Sequence, residues 1–304
     1  MINRRHFFKQ GGAALCMAAI AGGASLRTTT QAATRQRTAN KQIGLQLYSL
    51  RADMRQDPDK TLKAVAGMGY QLLESYGYGE RKFFGKSPAE FRTQLSGLGM
   101  RMTSSHTGFN VYANDNQTAW DAVKQNMEDT KEAGAKWIVQ AGYPGSRFTK
   151  LDEVKHLAET FNRVGELAKT FGLKFAYHNH TEEFTAIERR IPYQQYIELT
   201  EKELVTFQMD IGHVANVMGD YVGYLLKYPG RFSVLHIRDT NLKTKAATEF
   251  GEGDVRMKEV FDLFPTQGDG LDDYFVEQEE YKSTPLESVR MCYEYLNKAP
   301  FVRW

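Results

Sequence analysis

Val205–His213 reads VTFQMDIGH, and Arg231–Asp239 reads RFSVLHIRD. Each stretch starts as a short apolar run of strand character and ends abruptly in groups able to hold a cation. Asp210 with His213 closes the first; His236 with Arg238 and Asp239 closes the second. Apolar runs covered on both faces are what parallel strands look like, and polar groups at their C-terminal ends are where α/β folds keep their chemistry. Taken singly, Asp210 reads equally well as a helix cap and His236 as a core histidine. Two such endings in succession, with more elsewhere, point to a site.

Outward from these stretches, the same alternation of apolar run, polar loop and amphipathic helix repeats. Strands are expected at Ile43–Tyr48, Tyr70–Ser75, Met100–His106, Lys136–Gln140, Lys174–His180, Val205–Asp210, Phe232–Arg238 and Asp273–Glu277. Helical patterns lie between them, at Asp59–Met68, Ser87–Leu98, Thr118–Ala133, Leu151–Phe171 and Tyr221–Tyr228. Asp57-Pro58 and Ser87-Pro88 open helices, and Gly69, Gly99, Gly134 and Gly172 follow them. Eight strand–helix repeats over roughly 260 residues match the size of a (β/α)8 TIM barrel, an α/β fold. A doubly wound sheet would want a Gly-rich dinucleotide turn after its first strand, which this chain lacks.

The 304 residues are 41% hydrophobic and 25% charged, enough for a large core and against wholesale disorder. Residues 1–33 carry Arg4, Arg5, Lys9 and Arg27 with no acidic residue, so their removal turns a formal charge of +2 into −2. A mature chain near neutrality lacks the electrostatic footprint of a nucleic-acid binder. The leader joins Arg4-Arg5 to an Ala/Gly-rich run that is too short and small-sided for a membrane span, so no membrane anchor is expected after its removal. Arg-Arg-x-Phe-Phe-Lys resembles a twin-arginine export signal, which implies a periplasmic protein, with residues 34–42 as a linker and 43–304 as the single barrel domain. Of the two cysteines, Cys16 lies in the leader, so Cys292 has no internal partner in the mature chain.

The strand ends collect the chemistry. Glu74 ends the second strand, His106 the third, Gln140 the fourth, and His178-Asn179-His180 the fifth. Asp210 with His213 ends the sixth, His236 the seventh, and Glu277 followed by Glu279 the eighth. Five of the seven histidines fall at these positions. In a barrel all such ends converge on one mouth. Imidazoles mixed with carboxylates suit one divalent ion, Zn²⁺ or Mn²⁺ rather than Mg²⁺.

The motifs GLKFAYHNH (172–180), FQMDIGH (207–213), LHIRD (235–239) and YFVEQ (274–278) together resemble the xylose-isomerase-like sugar isomerase/epimerase family. That family also contains inosose dehydratases, tagatose-type epimerases and endonuclease IV, all metal-dependent TIM barrels. The resemblance implies Asp210, His236 and Glu277 as three of four metal ligands, with His213 at a position that contacts substrate near the metal. The fourth ligand aligns with His178, where the epimerases place a glutamate that also serves as base. With one carboxylate of the pair missing, simple 3-epimerisation is disfavoured. Isomerisation or elimination beside a carbonyl, with Glu277 as base and His178 or His213 as its counterpart, is retained. Glu182 and Glu183 are alternative carboxylates on that side. Glu74, His106, Gln140, His180 and Arg238 are expected to contact a carbohydrate or cyclitol, with Tyr48, Tyr76, Trp137 and Tyr143 available for stacking and Lys86 for an anionic group. The competing readings are a lyase or hydrolase opening 3-keto-glycosides, a non-catalytic sugar-binding barrel, and a DNA-repair nuclease, the last opposed by charge and ligand count. A homo-oligomer is left open.

Overall fold

The computed structural model describes residues 41–142, 148–264 and 270–303. The leader, most of the expected linker and Tyr143 lie outside the described residues. Eight parallel strands close into a barrel: β1 Gly44–Gln46, β2 Leu72–Ser75, β3 Arg101–Thr107, β4 Trp137–Gln140, β5 Lys174–His178, β6 Val205–Asp210, β7 Val234–Ile237 and β8 Asp273–Val276. Each strand pairs with its neighbours in sequence, and β8 returns to β1. This is the expected (β/α)8 fold.

Strand parity explains the interior. Alternate residues of a strand face the same side, and one inner layer is apolar: Leu72, Trp137, Val139, Ala176, Val234 and Phe275 form a cluster separate from the main core. Two residues further along the same faces stand Glu74, His178, His236 and Glu277. The apolar layer is thus a plug on which the polar ends rest. Gly44 belongs to this plug, since a Cβ there would lie 2.6 Å from the Phe275 ring and 2.4 Å from the Tyr274 carbonyl oxygen. Burial of each large plug side chain contributes on the order of 1.5–3 kcal/mol.

The larger core lies between strands and helices. Helix Leu151–Thr170 buries Val154, Leu157, Phe161 and Val164 at the three-and-four spacing of an amphipathic helix. Helix starts follow the sequence signals. Ser87 and Glu90 form a reciprocal capping box ahead of Pro88, and the Asp57 side chain caps the helix that Pro58 opens. Six of the eight strands are shorter than expected, while β6 has the expected bounds and β3 is shifted by one residue. β1 stops at Gln46 because the Gln46 side chain accepts the Tyr48 N–H and turns the chain into a 3-10 helix at Leu47–Leu50. Lys41, within the expected linker, already belongs to the barrel: its ammonium donates to the carbonyls of Leu296, Asn297 and Ala299 at the end of helix Pro285–Lys298. Trp137 sits at the start of β4 within the plug and is buried, so it is core and not a stacking surface at the mouth. Among the described residues no helix is long and apolar enough to cross a membrane.

Candidate metal centre and active-site cleft

The barrel brings His178, Asp210, His236 and Glu277 together from four consecutive strand ends. One donor atom from each lies within 4.8 Å of the others, and all four residues are buried. His106, His178 and His236 form an overlapping group of the same tightness. The imidazoles lie against one another, with centroids 4.8 Å apart for His106–His178, 4.9 Å for His106–His236 and 4.5 Å for His178–His236, the second pair stacked and the other two tilted. His180 and His213 extend the row, with centroids 5.0 Å apart for His178–His180 and 5.4 Å for His180–His213.

Asp210 does two jobs. Its Oδ1 accepts the His213 N–H at 2.8 Å and caps helix Ile211–Val217, while its backbone N–H is held by Asn179 Oδ1 at 3.1 Å. Its Oδ2 is buried and accepts no hydrogen bond. His178 Nδ1 is likewise buried without a partner. A buried polar atom left without a hydrogen bond costs stability unless something else satisfies it. Two such atoms in one four-donor group fit a bound divalent ion.

The charges suit this reading. Burial, reinforced by His236 and His106, holds His178 well below the usual imidazole range, in the neutral form that ligates metals. Burial alone would lower His236, but Glu74 and Glu277 outweigh it and raise its pKa to about 10. Burial would raise Glu277, yet His236 and Arg238 hold it well below the usual carboxylate range.

A cleft of about 360 Å³ opens above the donors. His178 and Glu277 line it, together with His106, His180, His213 and Glu279, and Tyr48 and Tyr76 form its aromatic side with rings at right angles, centroids 5.1 Å apart.

Several expected contact residues are placed otherwise. Glu74 is wholly buried beneath the donors, away from the cleft lining. Gln140 turns to the backbone, accepting from Phe109 N–H and donating to the carbonyls of Ala141 and Gly142, so it shapes the loop after β4. Arg238 is buried among carboxylates. It pairs with Glu279, lies 3.5 Å from Glu277 Oε2 and 3.6 Å from Asp210 Oδ2, and so stands behind the donors. Glu183 is buried, with Oε1 accepting from Tyr177 Oη–H at 2.5 Å and from His180 N–H at 3.0 Å; it anchors the turn after β5. Glu182 is exposed, and neither glutamate lines the cleft. Lys86 pairs with Asp59 at 3.2 Å, away from the cleft. Reading the sequence missed Gln46, Ser104 and Gln208, and took Asp239 for a group able to hold a cation. Parity was the available signal for two of them, since Gln208 and Ser104 each stand two residues before a site residue on the same strand face. Asp239 accepts four backbone N–H groups, from Thr240, Gly251, Gly253 and Val255, and so folds the loop after β7.

The family model for the xylose isomerase-like TIM barrel matches residues 62–294. The chain belongs to the xylose isomerase-like TIM barrel family. Among curated members of known name, inosose dehydratase of Lactiplantibacillus plantarum is 27% identical over 164 residues, 48% of this chain and 54% of that protein. The chain therefore spans about half the length of the curated relatives it matches first. A sugar phosphate isomerase/epimerase from Parabacteroides distasonis superposes with a TM-score of 0.76 at 28% identity, covering 88% of this chain and 97% of that one. The IOLI protein, solved with a zinc atom, has a TM-score of 0.64 at 15% identity over 86% of this chain and 98% of its own, a likeness of fold.

Proposed function

We propose that this barrel is a divalent-metal-dependent enzyme that removes a proton next to a carbonyl on a carbohydrate or cyclitol. One observation carries the proposal: His178 and Glu277 belong at once to the four-donor group and to the cleft lining. A small molecule in the cleft would therefore lie against the donors. His178, Asp210, His236 and Glu277 would hold the ion, which when bound supplies Lewis-acid polarisation of the substrate carbonyl.

The chain's own groups then divide the proton work. Glu277, a carboxylate reaching the cleft, takes the proton from the carbon beside the carbonyl. His213 and His180 face the same space from the other side and deliver a proton, either to the neighbouring carbon or to a departing oxygen. Arg238 helps keep Glu277 ionised and holds Glu279 in place through their ion pair.

The two sides of the cleft are unlike. Glu277 and Glu279 supply carboxylates from just after β8, whereas the end of β5 supplies the imidazole of His178, and Glu182 and Glu183 stay out of the cleft. Inversion at one carbon by a matched pair of carboxylates is not what this arrangement favours. Elimination or isomerisation, each needing one base and one separate proton donor, fits better. The dehydratase name of the curated relatives supports elimination as the specific outcome. Among the described residues lining the cleft there is no lysine or arginine, which favours an unphosphorylated substrate.

The leader reading joins this proposal as a statement of place: export by the twin-arginine route, with the enzyme folded beforehand. Replacing Arg4 and Arg5 by lysine should block export, and normal export of that variant removes the reading.

The test is a screen of metal-loaded protein against keto sugars, oxidised glycosides and inososes, with products identified by NMR. Loss of water or of an aglycone marks elimination, and a shifted carbonyl marks isomerisation. Tight sugar binding without any product, unchanged by chelation, would make the chain a binding protein.

A further inference from the structure

Beneath the donor group lies a buried network centred on Glu74, whose residue is 0% exposed. Its Oε1 accepts from Gln46 Nε2 at 2.8 Å and meets His106 Nε2 at 2.9 Å and His236 Nε2. Its Oε2 accepts from Ser104 Oγ–H and from Gln208 Nε2 at 2.7 Å. Five groups from β1, β3, β6 and β7 thus converge on one carboxylate that is out of reach of the cleft.

The donors on this carboxylate fix the orientation of everything next to it. A carboxylate only accepts, so the Gln208 amide must turn its NH₂ toward Glu74 and its oxygen away. That oxygen, Oε1, faces His106 Nε2 at 2.6 Å. His106 Nε2 therefore sees two acceptors, Gln208 Oε1 and Glu74 Oε1, and must carry the hydrogen. His236 Nε2 faces Glu74 and must carry one too; its Nδ1 faces the Glu277 Oε2 carboxylate at 2.8 Å and is the nitrogen turned to the donor group, the one a metal would take in place of that hydrogen bond.

We propose that Glu74 is a positioning residue that sets the ring orientation of His236 directly and of His106 both directly and through Gln208, holding Nε2–H of each so that Nδ1, and not Nε2, is the nitrogen left for a metal. The inference rests on the reading of the donor group as a metal site. A carboxylate behind a histidine ligand raises its basicity and locks its ring, and loss of such a partner typically lowers metal affinity by about 10- to 100-fold. Here one carboxylate serves two imidazoles and needs no contact with ion or substrate.

The first measurement uses the unaltered chain. Imidazole ¹⁵N NMR of the Zn²⁺-loaded protein should show both His106 and His236 protonated at Nε2. His236 protonated at Nδ1 overturns the proposal. The second is a cycle of Zn²⁺ affinities, by chelator competition, for wild type, Glu74→Gln, His236→Gln and the double variant, with Co²⁺ absorption reporting coordination geometry. Glu74→Gln should weaken Zn²⁺ by about 10- to 100-fold and shift the Co²⁺ spectrum, and the effect should shrink in the His236→Gln background. A folded Glu74→Gln with wild-type affinity and spectrum, or a loss undiminished in the double variant, contradicts it. Absence of Zn²⁺ binding in wild type would instead overturn the metal reading itself.

Discussion

Gly212 and Arg238 share one small volume: a Cβ on Gly212 would lie 2.7 Å from Arg238 Cδ and 3.0 Å from its Cβ. The glycine two residues after Asp210 is therefore what lets the Arg238 stem pass behind Asp210 to reach Glu277 and Glu279. Gly212→Ala should push Arg238 out of that slot, at a cost of about 1–3 kcal/mol in stability, as overpacking does. Because the arginine stands behind the donor carboxylates Asp210 and Glu277 and pairs with Glu279, activity should fall more than thermal stability suggests. Denaturant melts and turnover on the same preparation check this, and an unchanged turnover would show that the arginine's place is unimportant.

Metal removal gives the second expectation. Asp210→Asn removes the charge from one of the two buried donors that lack a hydrogen bond, His178→Ala removes the other, and each should lower affinity for Zn²⁺ or Mn²⁺ by more than the about 10- to 100-fold expected of an outer partner. Metal content after dialysis against a weak chelator reads this directly. The fold should survive, because the plug of Leu72, Trp137, Val139, Ala176, Val234 and Phe275 is apolar and independent of the ion. By contrast Phe275→Ala, a cavity in that plug, should cost about 3–5 kcal/mol.

The metal-free chain should show a distinctive pH response. His236 is raised to about 10 in the folded chain, against about 6.5 for an unperturbed imidazole. A raised imidazole contributes stability that is complete below the unfolded value and is lost as pH rises through the folded one. Stability of the metal-free protein should therefore decline from about pH 6.5 towards 10 through this group. Glu277 is held low and contributes in the opposite sense: stability present above about pH 4.3 and lost in acid. A ligand imidazole must be neutral, so Zn²⁺ uptake at pH 8 should release a proton. Calorimetry in two buffers of different ionisation enthalpy measures the release, and its absence would take His236 out of the donor set.

Cys292 offers a check on the core. It is fully buried, and burial pushes its thiol up to about 12. In the leader-free chain a thiol reagent at pH 8 should find no reactive group until denaturant is added, and then one per chain. Rapid reaction in the folded state would mean that helix Pro285–Lys298 is not docked as described.

Much of this was legible in the sequence because barrels put their chemistry at strand ends. Asp210, His236, Glu277 and His178 each terminate an apolar run, so their type and place are enough to gather them at one mouth. Gln208 and Ser104 were not read as part of the site, although their parity with Asp210 and His106 puts them on the inner face. Glu74 was misplaced for a related reason: a strand-end position gives the direction of a side chain but not its depth. Only the closed barrel shows that five donors cover it. Arg238 and Gln140 were likewise assigned to the substrate, because nothing local tells an arginine facing a ligand from one facing three carboxylates.

The central claim, that metal and Glu277 together remove a proton beside a carbonyl, is tested most directly by solvent-deuterium exchange into the substrate at that carbon. Exchange registers the proton step even where net conversion is slow. Metal-loaded wild type should incorporate deuterium, the chelated protein should not, and Glu277→Gln, given enough metal to fill the site, should lose the exchange by at least the roughly 10²-fold expected for a general base. Undiminished exchange in that variant would move the base to an imidazole. No exchange in metal-loaded wild type across a broad panel of keto sugars and inososes would contradict the account.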